Sequence, residues 1–580
     1  MPAMNKSFAL LSALALLGGC QILPSARPDA ASPTTEADTP PSAAVAAAPS
    51  APFSRDTLYS LLVAELAGQR DRFDIALANY VEQAHATGDP AVAERAFRIA
   101  EYLGADEAAL ETALLWADSA EDNLDAQRVA AIQLARAGRH DQAMLYMEQV
   151  LQAKGDTHFD FLALSAAQLD PEARAGLLQS FEQLLARYPD NAQLVFGRAV
   201  LLQQDGRSEE ALASLEAHPA GSREVAPLLL RARLLRSLDR GEEALPLLKD
   251  GLRLHPDDKR LRLTYARLLL EDEQLEAARA QFIELQQRFP EDDDLRLSLA
   301  LVSFEAKAWD ESRALLQELI ERDNHVDAAH FNLGRIAEQE NDSRVALREY
   351  AAVGPGNDYL PAQVRRTELL VKAGRSGEAE RLLASERDSQ PDYALQLYLI
   401  EIESLTKQQR LDAAWQRITA ALEQFPEDLN LIYTRAMLAE KRGNLAGLEQ
   451  DLRFIIEREP DNAMALNALG YTLADRTTRY TEAHELITRA YELNPDDPAI
   501  LDSLGWVNYR MGNLTEAERL LRQALERMPD HEVAAHLGEV LWVSGQQDAA
   551  RKVWRQALTD TPDSSVLQET LKRLTGKVQP

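Results

Sequence analysis

The sequence is poor in most of what marks a disulfide-bonded, membrane-spanning or nucleic-acid-binding protein. It has a single cysteine in 580 residues, which excludes a disulfide within the chain. Aromatic residues make up 6%, and glycine and proline number 26 each. That usage suits helices, and strands are not expected. Basic residues are outnumbered, 62 against 93 acidic, for a net charge of -31. Such a field repels nucleic acid and anionic headgroups, so nucleic acid is excluded as a partner, and much of the acidity reads as solubility. The one long apolar run, Phe8 to Leu17, is too short to span a bilayer. What remains is a chain too long for one ordinary domain, either several domains or a repeat array.

The N-terminus carries its own logic. Lys6 precedes the run Phe8-Ala9-Leu10-Leu11-Ser12-Ala13-Leu14-Ala15-Leu16-Leu17, which ends in Gly18-Gly19-Cys20. A positive start, a short apolar middle and small residues at the end describe a secretory signal over residues 1–19, removed on export. Leu17-Gly18-Gly19-Cys20 resembles the bacterial lipobox, in which the cysteine thiol takes a diacylglyceryl group and becomes the new N-terminus. The resemblance implies a palmitate-type lipid anchor on Cys20. By the same family rule, Gln21 in place of aspartate implies the outer membrane, with the protein facing the periplasm and touching the membrane only through its lipid. Residues 20–56 are rich in Pro, Ala, Ser and Thr without apolar periodicity. They read as a flexible tether, open to proteases, that cannot build a core.

From there a repeat sets in. A marker position, usually Ala, recurs at Ala76, Ala109, Ala143, Leu177, Ala211, Ala244, Ala278, Ser312, Ala346, Ala379, Ala414, Leu448, Ala483, Ala517 and Ala550, with every gap 33, 34 or 35 residues. Four residues later a large apolar side chain recurs, often aromatic, as in Tyr80, Phe181, Phe282, Tyr350 and Trp554, on the same helix face. Twelve residues after, a proline recurs from Pro189 to Pro562, stopping one helix and opening the next unit. Twelve before stands another small residue, such as Ala131, Ala300, Gly334, Gly505 or Gly538, and five before stands a turn glycine at Gly138, Gly206, Gly374, Gly443, Gly512 and Gly545.

Helix, tight turn, helix, proline resembles the tetratricopeptide repeat, with Leu501-Asp502-Ser503-Leu504-Gly505-Trp506 through Ala517, Leu521, Ala524 and Pro529 as the best match. The expected fold is all-α, a tetratricopeptide-repeat superhelical solenoid of about 15 helical hairpins over residues 57–562. Residues 563–580 read as a capping helix and tail. Leu177 and Leu448 break the small-residue rule, so those hairpins are expected to splay or shift. The unit around Ala109 lacks a clear turn glycine, and the segment before Ala483 has one extra residue.

No catalytic pattern stands out. His531 and His536 are five apart, about 140° around a helix, and cannot share a metal as an i, i+4 pair does. His325 and His330 have the same spacing. Gly374-Arg375-Ser376-Gly377 is a repeat turn, and Glu291-Asp292-Asp293-Asp294 lacks the glycine and spacing of a calcium loop. No catalytic residue, metal or cofactor is expected, and the chain reads as a binding protein, not an enzyme.

In the resembled family the first helices line a concave wall. Carried onto this sequence, that wall receives Asn467, Tyr471, Asp502, Trp506, Tyr509, Glu539 and Trp542 in the last repeats, and Arg233, Arg236, Arg267 and Arg335 in the middle. The aromatics either pack adjacent repeats together or anchor a protein partner. The arginines either pair with nearby carboxylates or fork onto a partner's.

The lipobox, the tether, and the repeats Asn467-Ala468-Leu469-Gly470-Tyr471 and Asp502-Ser503-Leu504-Gly505-Trp506 together resemble the outer-membrane lipoprotein adaptors of pseudomonads. Those bind and activate a periplasmic carboxyl-terminal processing protease. The resemblance implies a scaffold that recruits such a serine protease and presents peptidoglycan hydrolases to it as substrates. The alternative is a structural lipoprotein of outer-membrane assembly or envelope-polymer export.

Overall fold

The computed structural model describes residues 53–155 and 157–579. Cys20, the signal and nearly all of the tether lie outside the described residues. Among the described residues there are thirty-two α-helices, two 3-10 turns and no strand, as the composition implied. No helix among them is long and apolar enough to cross a membrane.

The helices fall into two compact units, one ending at Asn324 and the other starting at His325. The first unit stacks eight hairpins, from Arg55–Gly68 with Phe73–Thr87 to Asp293–Glu305 with Trp309–Glu321. The second stacks seven, from Val326–Gln339 with Ser343–Ala351 to His531–Val543 with Gln547–Asp560, and ends in the single helix Ser565–Thr575. The fold is the tetratricopeptide-type solenoid, fifteen hairpins, the short helix Ala220–Arg223 between two of them and a closing helix. That closing helix buries Leu567 and Leu571 and keeps Glu569, Lys572 and Arg573 toward solvent.

Every marker residue is buried, Leu177 and Leu448 included. The packing explains the pattern. A Cβ added to Gly505 would stand 2.7 Å from Leu521 Cγ, and one added to Gly470 would stand 2.5 Å from Ile487 Cγ1. The large residue four after the marker therefore fills the space left by the small residue twelve before it, thirteen before it at Gly470 where the turn has one extra residue, and neither can grow alone. Where serine replaces alanine, Ser312 Oγ donates to Ala300 O at 2.7 Å, so the hydroxyl is satisfied inside the hairpin.

The turn obeys backbone geometry more strictly than residue type. The position five before the marker has positive φ in all but two hairpins, and six of its occupants are not glycine: Asp71, Asp239, Glu273, Lys307, Asn341 and Gln409. The unit around Ala109 is regular after all, because Gly104 holds that position with φ +65°. The two exceptions are the hairpins around Leu177 and Ala483. In the first, the leading helix is only Phe159–Ser165, followed by the 3-10 turn Ala166–Gln168 and the long helix Pro171–Arg187. The shift expected there is real, and Phe181 turns edge-on to Phe159 at 5.8 Å. Leu448 needs no shift, since its hairpin keeps the ordinary turn at Gly443.

Candidate functional site

The first helices of the last hairpins pack side by side in succession, Ala463–Arg476 on Pro498–Arg510, that on His531–Val543, and that on Ser565–Thr575. Each starts at a side-chain cap: Asn462 accepts from Ala465 N, Asp497 from Ala499 N, Asp530 from Glu532 N and Ser564 from Leu567 N. The caps fix the rotation of each helix, and so which side chains meet across the stack.

Two polar connections run across these helices. His536 Nδ1 meets Asp502 Oδ1 at 2.9 Å and Oδ2 at 3.1 Å, and the indole of Trp506 stacks on the imidazole with centroids 4.2 Å apart. Burial disfavours the imidazolium, but the carboxylates of Asp502, Glu539 and Glu532 outweigh it and raise the His536 pKa above its ordinary 6.5. One turn along, Glu539 takes Arg573 Nη1 at 2.7 Å and the Tyr509 hydroxyl at 3.0 Å, tying the closing helix to two hairpins. Burial and the neighbouring Glu539 push the Tyr509 phenol up to about 12. Burial and Asp475 likewise raise Tyr471, whose ring lies 6.1 Å from that of His536.

This corrects the expectation for Trp506. It is 6% exposed, held between hairpins, so packing claims it and it does not stand open in a groove. Tyr471, Tyr509, Trp542 and Asn467 are half-buried and do reach the surface. Trp542 lies 5.8 Å from Trp554 and carries the Arg551 guanidinium over its ring at 5.3 Å. Trp506 Nε1 and Asn467 Oδ1 are buried atoms without a hydrogen-bond partner.

The arginines divide. Arg233, Arg236 and Arg267 are exposed on first helices of the first unit, where Arg236 pairs with Glu271 of the next first helix at 2.7 Å. Arg335 belongs to the second unit and donates to Asn332 Oδ1 at 2.9 Å. Acid pairing accounts for Arg236, and Arg233 keeps its guanidinium at the surface.

His536 and Arg573 were missed as partners. The available signal was the period itself: Asp502 to His536 and Glu539 to Arg573 are each 34 residues, one repeat. His531 and His536, which the spacing keeps from sharing a metal, turn to different partners, His531 to Ser564 Oγ at 3.1 Å and His536 to Asp502. His330 meets Glu349 at 2.8 Å.

Tetratricopeptide-repeat family models match residues 235–302, 477–535 and 508–574, and a second such model matches 178–224 and 433–498. The chain is 65% identical over its full length to the TPR repeat-containing protein PA4667 of Pseudomonas aeruginosa, covering 98% of that protein. It belongs to the tetratricopeptide-repeat family. Shorter likenesses are 31% identity to human tetratricopeptide repeat protein 7A, over 30% of this chain and 16% of that one, and 34% to the Vi polysaccharide export protein VexE of Salmonella typhi, over 19% and 17%. Yeast Tom70 aligns over 90% of this chain and 95% of its own at 15% identity and a TM-score of 0.31, which bears on no functional question. Membership in the family makes this a scaffold for protein–protein interaction.

Proposed function

We propose that the chain is a lipid-anchored periplasmic adaptor of the outer membrane that recruits and activates a carboxyl-terminal processing serine protease and presents peptidoglycan hydrolases to it. The observation that carries the reading is the repetition of the hairpin, eight in one unit and seven in the other, after Cys20 in its lipobox and a Pro/Ala-rich tether. A long stack offers many first helices to partners and has no need of a reaction centre. Holding protease and substrate on one tethered body makes their encounter effectively intramolecular. Half-buried Tyr471, Tyr509 and Trp542 are the aromatic anchors, and exposed Arg233 and Arg267 steer acidic partners.

The second reading, envelope-polymer export or outer-membrane assembly, draws support from the local likeness to a polysaccharide export protein. Affinity capture from a periplasmic extract on the full mature chain separates the two. Recovery of a serine protease with wall hydrolases supports the adaptor, recovery of barrel or secretin components supports export, and recovery of neither overturns the proposal. Replacing Cys20 by Ser tests the anchor by itself. The chain should leave the membrane fraction, and unchanged fractionation with unchanged mature mass rejects lipidation.

A further inference from the structure

The two ends of the hairpin series are finished differently. At the C-terminal end, Ser565–Thr575 covers the last first helix with a polar outer side, as an array end requires. At the other end stands Arg55–Gly68, which buries Thr57 and Ala64 against its own hairpin. Within each unit the outward side of an inner first helix is covered by the preceding second helix, as Phe73–Thr87 covers Pro90–Leu103. Among the described residues nothing covers the outward side of Arg55–Gly68, where Leu58 is 54% exposed, Tyr59 70%, Leu62 60% and Leu66 45%. At 100° per residue these four, with exposed Arg55 and Gln69 at the ends, share an arc of about 100°. The solenoid's own packing rule therefore leaves a slot of one helix's width.

We propose that the occupant is a second copy of this chain, the two Arg55–Gly68 helices pairing antiparallel about a two-fold axis through Leu62. The stripe is self-complementary in that register. Leu62 meets itself, Leu58 meets Leu66, Arg55 meets the Gln69 amide, and Tyr59 falls beside Glu65. Arg70 comes opposite Ser54, and Asp56 opposite Gly68, so no like charges face each other. A parallel pairing would set Arg55 on Arg55 and Glu65 on Glu65, and is disfavoured. The upstream residues 21–52 supply only Ile22, Leu23 and Val45 as large apolar side chains, a poor match to four Leu and Tyr side chains. Each copy contributes on the order of a few hundred Å² of apolar surface, below the roughly 800 Å² per partner of a stable complex. The pair is accordingly weak and concentration-dependent. Copies anchored side by side would find each other more readily, a step that, like the removal of residues 1–19, rests on the lipid-anchor reading.

The test uses the full mature chain with Cys20→Ser, so that an introduced thiol is unique. Leu62→Cys should cross-link into a disulfide dimer under mild oxidation roughly tenfold faster than Ser544→Cys, because only the former lies on the axis at raised effective concentration. Sedimentation of the parent should show a dimer growing with protein concentration, and Leu58→Glu with Leu66→Glu should abolish both signals while circular dichroism keeps its helical signature. If the double variant does not fold, the cross-linking rates decide. Equal rates with a monomer at every concentration overturn the proposal. So does binding of the parent to phosphatidylcholine vesicles that Leu58→Glu removes, which would assign the stripe to lipid.

Discussion

The His536 imidazole lies against the Asp502 carboxylate of the preceding first helix, 2.9 Å away and roofed by the Trp506 indole, so that a charge-assisted pair is sealed inside the joint between two hairpins. Joints in a solenoid set its stability by nearest-neighbour terms. Here the joint depends on protonation.

The His536 pKa is raised in the folded protein, so its contribution to stability is complete below the unfolded value near 6.5 and is lost as pH rises through the folded value. Thermal melting of the parent should therefore fall off above about pH 6.5 more than melting of His536→Gln does, and nuclear magnetic resonance should place the His536 midpoint above 6.5. A midpoint at or below that value would show that burial outweighs Asp502.

Gly538 faces Trp554, which is fully buried, and a Cβ on Gly538 would overlap the indole. Gly538→Ala should cost about 1 to 3 kcal/mol by overpacking, and Trp554→Leu in the same chain should recover part of it. Denaturant unfolding measures both. Additive losses would mean that the two positions do not share one space.

Lys307 and Gln409 hold the left-handed turn that glycine holds elsewhere, with φ +61° and +59°. Glycine removes the Cβ clash and gives back some chain entropy, so Lys307→Gly or Gln409→Gly should stabilise by up to about 1 kcal/mol. The same change at Ala414, a helical contact, should destabilise. Melting temperatures of the three variants check the assignment.

These turns show where the sequence was readable and where it was not. The period was plain because packing demands a small residue at each hairpin contact, and Ala and Gly are nearly its only answers. The left-handed turn was half visible, since Asp71 or Glu273 can adopt it at a modest cost that leaves no trace in residue type. The joint at His536 was hidden for a different reason. Its partner lies one period away, and the histidine was weighed against residues on its own helix. Trp506 was misplaced because the family rule puts its helix position on a groove, whereas in this chain the neighbouring imidazole takes up its ring. Phe159–Ser165 could not be anticipated at seven residues, as nothing in the apolar spacing marks where a helix gives way to a 3-10 turn.

The last prediction concerns Glu401, which is 1% exposed and lies between two arginines on neighbouring second helices. Arg387 Nη1 is 2.6 Å away and Arg417 Nε 2.9 Å, and the Arg387 guanidinium also lies 4.2 Å from the centre of the Tyr398 ring. Burial raises the Glu401 pKa and the two arginines oppose it. Glu401 and Arg387 are taken out of water and Arg417 partly so, and they hold as a set because removal of one leaves a buried charge poorly paired. Glu401→Ala should then cost about 3 to 5 kcal/mol, while replacing Glu401, Arg387 and Arg417 together by Met, Leu and Met should cost far less or stabilise. Tyr398 gives an independent readout, since loss of the guanidinium over its ring in Arg387→Met should change its near-ultraviolet signal while helicity is kept. If the triple variant proves as unstable as Glu401→Ala, the cluster acts through shape, and the charge argument fails.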